Sequence, residues 1–82
     1  MSEVDSVERL VASIGSLLAG HHPMIQGAAL ADLLATWLAG YFIRADQGET
    51  DALRERLLTV HVEQVRALTV INAAEIHGDT RG

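Results

Sequence analysis

The chain contains no cysteine, no lysine, one proline, and one each of tryptophan, tyrosine and phenylalanine. Without cysteine, disulfide staples and thiolate metal sites are excluded. Without lysine every base is an arginine, and six bases face eleven acids for a formal charge of −5. An acidic chain with scattered arginines makes a poor phosphate-binding surface, which argues against nucleic acid as a partner. The charge is nonetheless too dilute, at 21% of residues, for disorder or nucleic-acid mimicry. A phosphate-cradling glycine loop, a His-Glu-x-x-His pair, internal repeats and low-complexity runs are also missing. The opening MSEVDSVER is acidic and polar where a signal peptide would be basic, so the expected location is cytoplasmic.

Strand formers do not alternate with polar residues, while alanine and leucine are abundant. The expected fold is all-α: one domain of three antiparallel helices over about 3–19, 23–43 and 49–76, then a polar, mobile tail over 77–82. A monomer of this size buries only about 60% of the surface its unfolded chain exposes. Pairing into a homodimeric helical bundle would relieve that shortage.

In the first segment Val4, Val7, Val11, Ile14 and Leu18 recur at spacings of three and four, widened by Leu10 and Leu17. Ser2 is placed to cap it, and Gly20 to end it. Gly15 sits near the stripe, where close approach of a neighbouring backbone would account for it. His21-His22-Pro23 breaks the chain as a solvated connector, with Pro23 at the first position of the next helix. An imidazole pair at a helix start could alternatively bind an anion or a metal.

The central segment, PMIQGAALADLLATWLAGYFI, carries one formal charge in its 21 residues, Asp32. On a helical wheel Leu30, Leu33, Leu34, Trp37, Leu38 and Tyr41 share a large face that reads as core. The cluster of Trp37, Tyr41 and Phe42 likewise reads as core. Gly27, Ala31, Ala35 and Ala39 recur every four residues on a small face, the spacing that lets two helices approach closely. This small face is the expected self-association surface. A membrane span is rejected because the segment is barely long enough, alanine-rich, and holds Gln26 and Asp32.

After the polar turn RADQGE, Asp46 or Thr50 is placed to cap a long third helix. Its apolar arc is wider than two short partner helices need. Its last turns, with Val70 and Ile71, overhang and want a partner, so both join the expected interface. Arg54, His61 and Asn72 interrupt the apolar arc. A hairpin about the turn would set Asp32 level with His61, and the expected polar site is Asp32, His61 and Asn72. That site reads as a polar contact fixing helix register. Glu63 is two residues from His61 and points elsewhere, and no nucleophile accompanies the acid–imidazole pair. The expectation is therefore no catalytic, metal or cofactor residue. The expected function is a small, non-enzymatic, self-associating interaction module. The alternatives are a helical protein binding a small ligand or metal through Asp32 and His61, or an adaptor docking a larger protein.

Overall fold

The structure, a computed structural model, describes residues 2–78. Among them are three helices and no strands: α1 (Glu3–Leu18), α2 (Pro23–Ala39) and α3 (Gln47–His77). The chain divides into two units, residues 1–34 and 35–82, with the boundary inside α2. Within the expected 77–82 tail, residues 79–82 lie outside the described residues.

In the first unit, the termini follow the capping chemistry. The Ser2 hydroxyl accepts from the Asp5 N–H at 3.1 Å, and the Asp5 carboxylate accepts from the Ser2 N–H at 3.4 Å. Two otherwise orphaned donors are thereby satisfied reciprocally. α1 stops where Gly20 takes φ +82°, a left-handed conformation that only glycine adopts without strain. The connector is not merely solvated. His22 caps α2, its carbonyl accepting from the Ile25 and Gln26 N–H groups at 2.9 and 3.0 Å. Its Nδ1 accepts from the Met24 N–H at 3.1 Å. The Gln26 amide donates to the Leu18 carbonyl at 2.9 Å, tying the end of α1 to the first turn of α2. Gly15, expected to admit a close neighbour, has open space where a Cβ would stand.

In the second unit, α2 ends four residues short of the expected Ile43. Gly40 shares its N–H between the carbonyls of Thr36 and Trp37, and the Tyr41 N–H bonds to Leu38, so the last turn tightens. The apolar run continues through Tyr41-Phe42-Ile43, but hydropathy does not report where backbone bonding stops. α3 starts two residues early because Asp46 is its cap: the carboxylate accepts from the Glu49 N–H at 2.9 Å. Thr50, the other candidate cap, has a different role described below.

Ala45, just before that cap, has φ 62°. A side chain in this region costs roughly 1–2 kcal/mol, while glycine enters it freely but loses more entropy on folding. Ala45→Gly therefore raises stability by about 0.5–1 kcal/mol, read as a higher urea midpoint with an unchanged slope. A lower midpoint would mean the Ala45 methyl makes a contact worth more than the strain.

Candidate interaction surface

Thr50 and Arg54 build the turn of the second unit. Thr50 is 3% exposed and is the one buried side chain among the described residues. Its hydroxyl accepts from the Ile43 N–H at 2.8 Å, and it lies 2.8 Å from the Asp46 carbonyl and 3.2 Å from the Ile43 carbonyl, either of which can take its proton. One hydroxyl thus closes the loop between α2 and α3. One turn further along α3, the Arg54 guanidinium covers the end of α2. Its Nε donates to the carbonyls of Leu38 and Tyr41 at 3.2 and 2.9 Å, and its Nη2 to that of Ala39 at 2.9 Å. A helix leaves its last carbonyls without intrahelical donors and its C-terminus partially negative. Arg54 answers both needs with one fork.

Two turns beyond Arg54, the His61 ring stands 5.5 Å from the Trp37 ring, tilted by 44°. Trp37 also meets Tyr41 edge-to-face at 5.5 Å and 83°. These orientations suit the ring quadrupoles. The expected core cluster is nevertheless not core. Trp37 and Tyr41 are 42% and 40% exposed, and Phe42 is 69% exposed. The expected large core face of α2 is corrected likewise: Leu34 and Leu38 are half-buried, whereas Leu30 and Leu33 are exposed.

The same holds along the chain. No apolar side chain among the described residues is buried. On α1, Ile14 and Leu18 are half-covered while Val4, Val7 and Val11 are exposed. On α3, Leu53, Leu57 and Leu58 are half-covered near the turn, and every described residue after His61 is exposed.

The positions picked from the sequence fall as follows. Gly27, Ala31, Ala35 and Ala39 are all exposed on α2, with nothing within 4 Å of a Cβ built on Gly27. Val70 and Ile71 are exposed on α3. Asp32 is exposed in the first unit, and Asn72 is exposed in the second. His61 is half-buried, and its ring neighbour Trp37 lies five residues beyond Asp32. Among the described residues, no three potential ligands from His, Asp and Glu gather to hold a metal ion. A surface depression lined by Asp5, Glu8, Arg9 and Ala12 belongs to α1 alone. No described helix is long and apolar enough to cross a membrane. Arg54 is the functional-looking side chain that spacing did not assign. Its signal was an arginine on the apolar arc, and a helix end is what such an arginine can reach.

The chain matches no family model, no curated protein and no solved structure.

Proposed function

We propose that this chain is a small, non-enzymatic, self-associating helical module. The observation that carries the reading is the absence of any buried apolar side chain among the described residues. Exposed apolar surface loses roughly 25 cal/mol for each Å² left in water, so side chains from Val4 to Ile76 represent a large unrealised stabilisation. Large exposed apolar patches mark association surfaces in soluble proteins. The polar devices support the same reading. Ser2, His22, Asp46, Thr50 and Arg54 satisfy helix ends and the turn. The helices are thus individually finished, and what remains is a surface to be covered.

A homodimer is the simplest assembly, because most homo-oligomers close by two-fold symmetry. Light scattering during size exclusion tests it over a range of concentrations. The expected result is a mass of at least twice 8.8 kDa that falls on dilution. A cooperatively folded species that stays at 8.8 kDa across the range would overturn self-association and leave docking on a different protein.

A further inference from the structure

Resting on that reading of self-association, we infer that the anchor of the contact is the aromatic patch of the second unit, with Trp37 at its centre and the same patch of a second copy as its occupant. Aromatic side chains are over-represented where association energy concentrates, because they supply large area at little entropic cost. All three aromatic residues of the chain lie in one stretch of six, Trp37 to Phe42. Each leaves a substantial part of its surface in water, from 40% at Tyr41 to 69% at Phe42. With rings of roughly 150–250 Å² apiece, about 300 Å² is left uncovered. A stable interface needs about 800 Å² per partner, so the patch supplies its centre and not its whole. On α3, Val65 and Leu68 follow His61 at four and seven residues, on the same helix face, and both are exposed. They extend the patch.

The centre of the patch is already packed within the chain. Trp37 is held between Tyr41 and His61 at 5.5 Å from each. The backbone beneath it is fixed by Arg54 on the carbonyls of Leu38, Ala39 and Tyr41. Side chains already ordered lose less freedom on binding.

Charge selects the occupant. A two-fold contact sets each group against its own kind, and a chain of formal charge −5 repels itself over most of its surface. Residues 35–43 carry no charged side chain, and the Arg54 guanidinium beneath them is spent on three backbone carbonyls, so two acidic copies meet there with no carboxylates opposed. On α3, Glu63 and Arg66 project away from the face of His61, Val65 and Leu68. A basic partner would find no carboxylate in residues 35–43 to pair with.

Trp37 is the single tryptophan and reports its own surroundings. The experiment follows its emission maximum alongside mass by light scattering, over one concentration series of the unaltered full chain. The expected result is a blue shift with the same midpoint as the rise in mass. A rise in mass with unshifted emission would overturn the anchor and leave self-association standing. A constant 8.8 kDa would overturn both. In variants, Trp37→Ala weakens association about ten-fold or more. Ala35→Leu, on the opposite small face, changes it less than about two-fold by the same conversion. The reverse order would move the anchor to Gly27, Ala31, Ala35 and Ala39.

Discussion

Arg54→Ala lowers the stability of the folded chain by about 2 kcal/mol, the order expected for losing charged hydrogen bonds that water partly replaces. In a chain of this length that is roughly 8–16 °C in melting temperature, followed by circular dichroism. The size of the loss follows from what the guanidinium touches. Three carbonyls of the segment leaving α2 receive donors from this one side chain. Two of them, Leu38 and Ala39, close the helix itself, where the backbone dipoles leave partial negative charge. Arg54→Lys does not restore the loss, because an ammonium lacks the planar fork that reaches several acceptors together. Substitution of Arg56, an exposed neighbour of the same charge on α3, serves as a control for charge alone. Melting of Arg54→Ala within about 2 °C of the unaltered chain would show that the carbonyls are equally well served by water, since ~0.5 kcal/mol already moves a small domain by about 2–4 °C.

Much of the fold was legible because helix ends have local chemistry. Ser2, Gly20 and Pro23 stand within a few residues of the backbone groups they satisfy or replace, and each was readable from type and position alone. The end of α2 was masked: Gly40 stands at the stop position after Ala39, but the apolar run continues past it, and the side chain that covers the end, Arg54, comes fifteen residues beyond Ala39. Nothing in Tyr41-Phe42-Ile43 signals that the backbone has left the helix. The aromatic cluster was found as a cluster but read as interior. Composition reports that Trp37, Tyr41 and Phe42 prefer an apolar neighbour, not which chain supplies it. His61 was recognised as an exception on an apolar arc, yet its ring neighbour is Trp37.

Thr50→Val is the second change with a large expected effect, a loss of about 1–3 kcal/mol for a substitution that barely alters shape. Thr50 is 3% exposed, so water does not readily replace its hydroxyl. Valine keeps the branched side chain but leaves the Ile43 N–H without its 2.8 Å acceptor in a part-buried site. An unsatisfied buried donor forfeits its full hydration, which outweighs the small gain from a more apolar residue. The Asp46 carbonyl loses least, since it still accepts the Thr50 backbone N–H at 3.0 Å, a bond valine retains. Thr50→Ser separates the hydroxyl from the methyl. Serine keeps the bonds and loses one methyl group, worth about 1 kcal/mol or less at such a site. The order of urea midpoints is therefore unaltered chain, then Ser, then Val. Valine at or above serine would mean that the methyl, and not the hydroxyl, holds the turn shut. Amide exchange at Ile43 adds a direct readout, because protection of that one N–H depends on the Thr50 oxygen. Exchange accelerates there in Thr50→Val and stays slow in Thr50→Ser if the hydroxyl is what joins α2 to α3.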